Sequence, residues 1–243
     1  VTPAADTLPH ARVRVLAEHP GVRAGEPTPL ALDVPIEPGW HLYWKGRNDS
    51  GFPPEMTAVL PTGFVVGELH WPAPHRQVSP GDILDHVYEE RVTLPFSITP
   101  PVTLREPAEI TLGFKVDWLV CREACVPEGD SVAIRLSVLP EGETPPTAVD
   151  ESLLALLRAA RSRMPAPLPR DGSVQTTWSD STLTISARGA TSLTFYPYES
   201  CSEIMNLLDG GTASGGKLHL VFRGHAADDA TPEAIGSLMA DHG

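Results

Sequence analysis

The sequence predicts an all-β protein of two immunoglobulin-like β-sandwich domains, joined by a short helix and a Pro-rich linker. Hydrophobic and polar residues alternate in short segments, and Pro or Gly lies close to the ends of most of them. The 26 Pro and 20 Gly make about 19% of the 243 residues. That share is above the usual ~12% but below the ~25–30% at which a chain loses globular character. These observations favour a folded protein with many turns.

The first domain is predicted over residues 1–140. Leu30 and Leu32 point one way while Ala31 and Asp33 point the other, which is typical of a half-buried strand. Because no helical pattern separates such short strands, an antiparallel sandwich is expected. The predicted strands are Arg12–Ala17, Leu30–Ile36, Phe64–Trp71, Arg91–Thr99, Ile110–Val120 and Val132–Val138.

Residues 141–170 are predicted to be a linker with one short helix. Pro140–Pro146 has the composition of a linker, and Asp150 is a suitable N-cap. An apolar stripe follows over Leu153–Leu157, and arginines follow where a helix C-terminus favours cations. Met164 and Pro165 are expected to end the helix.

The second, smaller β domain is predicted within residues 171–243. Alternation resumes at Leu183 and Ile185, continues at Leu193 and Phe195, and predicts strands between Val174 and about Arg223. Residues 224–243 show no clear core pattern.

The charge distribution excludes a nucleic-acid surface. The chain has 18 Lys and Arg against 31 Asp and Glu, a net charge of -13, and no cluster of cations that would neutralise phosphates. It contains no apolar run near the ~20 residues of a membrane span. It also begins without the basic and apolar regions of a signal peptide, so we expect either a cytosolic protein or a processed or trimmed exported fragment.

The strongest chemical signal is Cys121 and Cys125, which directly follow the apolar strand Phe114–Val120. Two such thiols form a structural disulfide, hold a metal, or cycle between dithiol and disulfide. A loop of about five residues would remove only roughly 2 kcal/mol of unfolded-state entropy, against ~3 kcal/mol for 15 residues. This spacing favours a redox-active disulfide over a structural one, but a structural disulfide, a metal site and a redox pair all remain open.

A metal site needs more ligands than this pair supplies. The sequence has no second Cys pair, and His70 and His75, which are five positions apart, have the character of ordinary loop residues, so neither a structural zinc site nor any cofactor is predicted. Soft Cu(I) accepts two thiolates, so a non-catalytic copper-binding or protein-binding β module is the alternative function. Ser50 lacks the His/Asp arrangement of a hydrolase.

Five motifs in order carry a resemblance to a known family: Gly39–Lys45, Asn48–Glu55, Trp71–Pro74, Val87–Pro95 and Val116–Pro127. Over roughly residues 10–140, the chain resembles the amino-terminal periplasmic domain of the DsbD thiol:disulfide interchange family. It is most similar to the ScsB branch, which is associated with suppression of copper sensitivity.

This resemblance implies a protein-disulfide reductase domain, without a cofactor, in the soluble periplasmic region of an inner-membrane protein. Electrons would pass from a transmembrane donor domain of the same longer protein to the Cys pair. They would then pass to periplasmic thioredoxin-like thiol proteins, with a role in copper tolerance. We therefore expect the chain to be the soluble front section of a longer protein.

The resemblance also implies roles for individual residues. Cys125 would be the attacking sulfur and Cys121 the resolving one, as in the family's reaction. His41 and Tyr43 fall where the family places aromatic residues beside the pair, with His41 in place of the more usual Tyr. Residues Ser79–His86 would form a cap over the disulfide.

The charges near the pair suggest a direction for the reaction. Asp117, Glu123, Glu128 and Asp130 stand against Arg122 alone. If these acids are also close in space, they disfavour thiolate and stabilise the disulfide, which suits a reductant. The alternative is a solvated loop face.

Four tryptophans and the third cysteine have two interpretations each. The tryptophans form either an apolar rim against a partner protein or sandwich core. Cys201 is either a free thiol outside the cycle, or one that accepts a disulfide from Cys125 or joins two molecules. The tryptophans are Trp40, Trp44, Trp71 and Trp118.

Overall fold

The computed structural model describes residues 9–105, 109–140, 151–223 and 234–242. The described chain divides into two compact units whose segments alternate along the sequence. The first takes in the chain up to Tyr43, then Gly51–Pro72 and Val87–Met164. The second takes in Trp44–Ser50, Ala73–His86 and the chain from Pro165 onward. The predicted domain limits at residues 140 and 170 therefore remain a prediction.

The first unit is built from two sheets whose strands pair antiparallel, except for the parallel pair of β2 with β11. One has the strand order β1-β3-β9-β6. In the other, β2, β11, β10, β4 and β8 are neighbours in that order, and β5 also pairs with β10. The strands are β1 (Arg14–Ala17), β2 (Gly21–Val22), β3 (Thr28–Pro35), β4 (His41–Tyr43), β5 (Glu55–Val59), β6 (Val65–Val66), β7 (His75–Ser79), β8 (Ile83–Glu89), β9 (Arg91–Thr99), β10 (Glu109–Cys121) and β11 (Cys125–Val138). Of these, β7 and the first half of β8 belong to the second unit.

The core of the first unit lies between its two sheets. In β10, even-numbered residues from Leu112 to Val120 are buried, because alternate side chains of a strand point to one face. The Phe114 ring meets the Phe96 ring of the opposite sheet at 5.2 Å, which identifies this inner face. Odd-numbered residues of β10 point to the outer face. The predicted immunoglobulin-like fold is confirmed.

Strand β3 differs from its prediction as a half-buried strand. Both of its faces are buried, and Asp33, on the face opposite to Leu32, is fully enclosed. The Asp33 carboxylate accepts hydrogen bonds from Arg14 and, at 3.1 Å, from the Thr93 hydroxyl, with Arg91 Nε 3.7 Å away. These partners compensate the cost of burying the Asp33 carboxylate. The alternation of hydrophobic and polar residues in β3 had predicted that this side chain faces solvent.

The predicted helix is α1 (Glu151–Ser162). Leu157 and Ala160 are buried, and α1 contacts β9. The Arg161 guanidinium pairs with Glu18 at 2.5 Å, and this contact lowers the pKa of the Glu18 carboxyl. The predicted N-cap Asp150 and the linker after Pro140 lie outside the described residues.

The second unit contains two three-stranded sheets, with strand orders β12-β13-β16 and β15-β14-β17. Leu193, Leu220 and Phe222 are among the side chains of its core. Strand β17 lies in the segment for which no core pattern was recognised, and it pairs along its length with β14. The elements are β12 (Val174–Ser179), β13 (Thr182–Ala187), β14 (Ser192–Pro197), α2 (Leu207–Gly210), β15 (Thr212–Ser214), β16 (Lys217–Val221) and β17 (Gly236–Asp241).

All four tryptophans named in the sequence analysis are buried, so the core interpretation is confirmed and the rim is wrong. Trp40 stacks on His10 with ring centroids 3.6 Å apart. In the second unit, Trp44 packs against His86 and Tyr198 at 5.9 Å and 5.4 Å.

Candidate redox site at the end of the β10–β11 hairpin

The two cysteines of the predicted pair are joined by a disulfide where β10 turns into β11. Cys121 is the last residue of β10, Cys125 is the first of β11, and they are directly opposite each other in the antiparallel register. Their Cα atoms are 4.1 Å apart. The hairpin therefore holds the two sulfurs together through main-chain pairing along its whole length.

The disulfide lies on the outer face of its sheet. Residues Leu119 and Cys121 share that face, whereas Val120 points into the sandwich core. Tyr43, Val87 and Cys121 form a small buried cluster there, with Leu119 packed against it. The site thus has a local apolar layer separate from the main core.

The two cysteines differ in exposure. Cys121 is 3% exposed, whereas Cys125 belongs to the exposed residues of the turn. Cys125 is therefore the more accessible of the two residues to another molecule. This asymmetry matches the attacking and resolving roles that the resemblance implies, which remain a prediction.

His41 and Tyr43 both lie beside the pair, on strand β4. His41 is directly opposite Cys121, and the alternation of the strand places Tyr43 on the same face. The Tyr43 hydroxyl is 3.5 Å from Cys125 Sγ. The two rings meet edge to face with centroids 5.3 Å apart. The sequence-predicted site residues are therefore brought together, although their roles are untested.

Gly51 supports the Tyr43 ring and was not singled out in the sequence. A Cβ atom at this position would lie 2.1 Å from two carbons of that ring, Cε2 and Cζ. Only glycine permits such a close approach of backbone to ring. Gly51 lies within the Asn48–Glu55 motif, but nothing in the sequence connected it with Tyr43.

The acids expected to surround the pair do not gather there. Glu128 and Asp130 project from the opposite face of the hairpin, where Glu128 accepts hydrogen bonds from the Trp118 indole and from backbone amides. Asp117 shares the outer face, but it is four residues from Cys121, about 13 Å along the strand, and pairs with Lys115 at 2.6 Å. Only Glu123 belongs to the turn. The expected stabilisation of the disulfide by these acids is therefore not supported.

A different acid faces the site. Glu89, on β8, is directly opposite His41. Four strands thus place Cys125, Cys121, His41 and Glu89 in one row on the outer face. Sequence reasoning missed Glu89 because its proximity depends on the pairing of β4 with β8.

The segment expected to cap the disulfide belongs to the second unit. Residues 79–86 form the tip of the β7–β8 hairpin and the first half of β8. Asp85 accepts hydrogen bonds from the Asp49 and Ser50 amides at 2.9 and 3.0 Å, and His86 is buried. Residues 83–86 of this segment are therefore part of strand β8. Whether the segment caps the disulfide stays a prediction.

Cys201 is a buried thiol outside any disulfide. It lies in the core of the second unit, where burial raises the pKa of the Cys201 thiol. Its backbone carbonyl accepts a hydrogen bond from Arg47 at 2.9 Å. These properties favour the interpretation of Cys201 as a free thiol outside the cycle.

The described residues contain no group of three or more His, Cys, Asp or Glu side chains placed to hold a metal ion. In the same ranges, neither helix has the length and apolar character that crossing a membrane requires.

Comparisons with known proteins identify the family and the fold of the chain. The family described as the N-terminal region of thiol:disulfide interchange protein DsbD matches residues 12–136. The N-terminal periplasmic domain of ScsB from Proteus mirabilis has the same fold, with a TM-score of 0.59 at 17% identity, over 99% of this chain and 95% of that one. Spo0M, a sporulation control protein from Bacillus subtilis, aligns at a TM-score of 0.28 and 10% identity, over 73% and 78% of the two chains, which supports no conclusion.

A search of curated proteins gave no significant match. The family match covers just over half of the chain and includes His41, Tyr43 and both cysteines of the disulfide. The resemblance inferred from the sequence is thereby confirmed: the chain belongs to the family of N-terminal domains of the thiol:disulfide interchange protein DsbD.

Proposed function

We propose that this chain is a protein-disulfide reductase domain that passes two electrons from a membrane-embedded donor domain to thiol proteins of the periplasm. The observation that carries the proposal is a disulfide between one exposed and one buried cysteine, held at a hairpin end beside His41 and Tyr43. Membership of the DsbD N-terminal family supports thiol:disulfide interchange as the reaction class.

The reaction follows from the difference in access. In the reduced domain, the Cys125 thiolate attacks a disulfide of the partner, forming a Cys125–partner disulfide and releasing one partner thiolate, which takes up a proton. The Cys121 thiolate then attacks Cys125 Sγ, which re-forms the internal disulfide and releases the second partner sulfur as a thiolate, which also takes up a proton. The partner gains two electrons, and the domain loses them.

The hairpin favours the second step. Cys121 and Cys125 stay opposite each other through the pairing of β10 with β11, so the resolving sulfur is held next to the sulfur that it attacks. Such positioning makes the step effectively intramolecular. A dithiol of the donor domain then reverses the sequence and reduces the pair again.

The cellular setting rests on similarity to the ScsB branch. We assign the domain to the soluble periplasmic region of an inner-membrane protein, its partners to the thioredoxin-like thiol proteins, and its role to copper tolerance. The solved ScsB domain shares the fold at 17% identity.

Trapping tests the proposal directly. A Cys121→Ala variant, in a Cys201→Ala background, is mixed with a bacterial thioredoxin that keeps only its attacking cysteine, activated as a mixed disulfide with thionitrobenzoate, and analysed by intact-protein mass under non-reducing conditions. We expect a covalent one-to-one adduct with release of thionitrobenzoate, because neither protein retains a second sulfur that could resolve it. The matched Cys125→Ala variant should form none.

The absence of an adduct with Cys121→Ala, or an equal yield with Cys125→Ala, would refute the proposal. A titration with Cu(I) in parallel distinguishes the alternative module, for which stoichiometric metal binding without exchange is expected.

A further inference from the structure

Opening the disulfide creates a charge where the structure cannot easily hold one. When an external thiolate attacks the exposed Cys125 Sγ, the sulfur that leaves is Cys121, which is 3% exposed and packed among Tyr43, Val87 and Leu119. Burying an unpaired charge is costly. The Cys121 thiolate therefore needs a proton or a cation at the moment it forms.

His41 is placed to supply that proton. It is directly opposite Cys121, and opposed residues of an antiparallel pair have Cβ atoms about 4.5–5.5 Å apart on the same face. His41 itself is 7% exposed, so bulk water has limited access to this side of the sulfur. Histidine is the side chain whose ordinary titration range spans neutral pH.

Titratable and charged groups are placed around His41 by its own strand, by the neighbouring strands and by the preceding turn. On its own strand it faces Tyr43, on β8 it faces Glu89, and on β10 and β11 it faces the two cysteines. In the preceding turn, the Arg122 guanidinium lies over the Trp40 ring at 4.9 Å. Glu89 is thus the carboxylate in register with His41, on the side away from the disulfide.

We propose that His41 is the proton donor to Cys121 when the disulfide opens, and the base that removes this proton when Cys121 resolves the mixed disulfide. Glu89 is a positioning residue that favours the imidazolium form through its charge. This inference rests on the proposed exchange function and assigns the proton path within it.

The step balances in atoms and electrons. The incoming thiolate forms a bond to Cys125 Sγ as the Cys121–Cys125 bond breaks. The electron pair of the broken bond goes to Cys121 Sγ. The imidazolium of His41 then gives its proton to that sulfur, leaving a neutral imidazole and a thiol. The reverse sequence returns the proton to His41.

A small-molecule thiol separates this inference from the proposed function. The oxidised chain is reduced by dithiothreitol between about pH 5.5 and 8, across the range where an ordinary imidazole titrates. Samples are quenched with N-ethylmaleimide, and alkylated cysteines are counted by intact-protein mass. The rate constant is expressed per dithiothreitol thiolate, which removes the titration of the reagent.

For the wild-type chain we expect this rate constant to fall about tenfold as pH rises, because the imidazolium is lost. General acids typically contribute about 10²–10⁴-fold. We expect only about tenfold from His41, because a thiolate is already a good leaving group without a proton. His41→Gln should be about tenfold slower at the low end of the range, with a flat profile. Glu89→Gln should move the fall to lower pH.

His41→Tyr provides the control for packing, since it keeps an aromatic ring but has no group that titrates in this range. It should also give a flat profile, and it replaces the Gln variant if that variant does not fold. His219→Gln, at an exposed position in the second unit, should behave as wild type. Identical profiles for wild type and the His41 variants would overturn the inference and leave the exchange function intact. A wild-type disulfide that dithiothreitol does not open would refute the exchange function itself.

Discussion

The hydrogen bond between Tyr43 and Cys125 gives the most direct prediction about the reactive sulfur. In the reduced state, the Tyr43 hydroxyl, now 3.5 Å from Cys125 Sγ, is placed to donate to the thiolate. A hydrogen bond to a charged group contributes about 1.5–3 kcal/mol. Because Cys125 is exposed and also solvated by water, we take the lower value.

Tyr43→Phe removes this donor and keeps the ring that packs on Gly51. At about 1.36 kcal/mol per factor of ten, the loss lowers the Cys125 thiolate fraction at pH 7 about tenfold. The remaining thiolate is more nucleophilic, with a Brønsted coefficient of about 0.4–0.5, so the alkylation rate falls only about threefold. The assay is ultraviolet thiolate absorbance together with the rate of iodoacetamide alkylation, in a Cys121→Ala background.

Tyr88→Phe is the matched control. The Tyr88 hydroxyl donates to the Pro72 carbonyl at 2.6 Å, and its strand position faces away from the disulfide. This variant should lose about 1 kcal/mol of unfolding free energy and leave the thiolate fraction unchanged. An unchanged thiolate fraction in Tyr43→Phe would show that the hydroxyl does not stabilise the reactive sulfur.

Three further predictions concern stability and the remaining thiol. Arg14→Met should lower the unfolding free energy by about 2–3 kcal/mol in urea titrations. This is no more than the ~3–5 kcal/mol lost when a buried ion pair is broken, because Arg91 remains near Asp33. A loss under ~0.5 kcal/mol would contradict this prediction. Burial lowers the pKa of His86, so the unfolded state binds more protons below about pH 6.5 and the unfolding free energy should fall as pH falls through that range. His86→Gln should reduce this slope, and an equal slope in both proteins would contradict the assignment. In the folded chain, Cys201 should react with iodoacetamide at least about tenfold more slowly than in urea, because its thiol is buried and its pKa is raised; equal rates measured by peptide mass would contradict its burial.

Local patterns predicted the strands well where one face is clearly apolar. The prediction for Arg91–Thr99 coincides with β9, since alternating residues there end at Pro100. Gly236–Asp241 escaped recognition because most of its residues are only half-buried, and its pairing with β14 holds it in place. Asp33 was assigned to the wrong environment, since an alternation does not reveal a second covering layer.

The site residues that could be predicted from the sequence are those that lie in recognisable sequence motifs. The spacing of Cys121 and Cys125 pointed to paired thiols, and resemblance placed His41 and Tyr43 beside them. Glu89 was not predictable, because it meets the site only through the pairing of two distant strands. For the same reason, the acids nearest to the pair in sequence proved to be the wrong ones, since a hairpin sends alternate residues to opposite faces.

The position of the disulfide on the outer face has a consequence for the lifetime of the domain. The hairpin is paired from Glu109 to Cys121 by its backbone, and the sandwich core lies on its other face. The cross-link closes a loop of only about five residues, so reduction restores roughly 2 kcal/mol of unfolded-state entropy. Because a typical domain has about 5–15 kcal/mol of unfolding free energy, this loss should leave the reduced domain folded, so that the proposed exchange would not require unfolding between cycles.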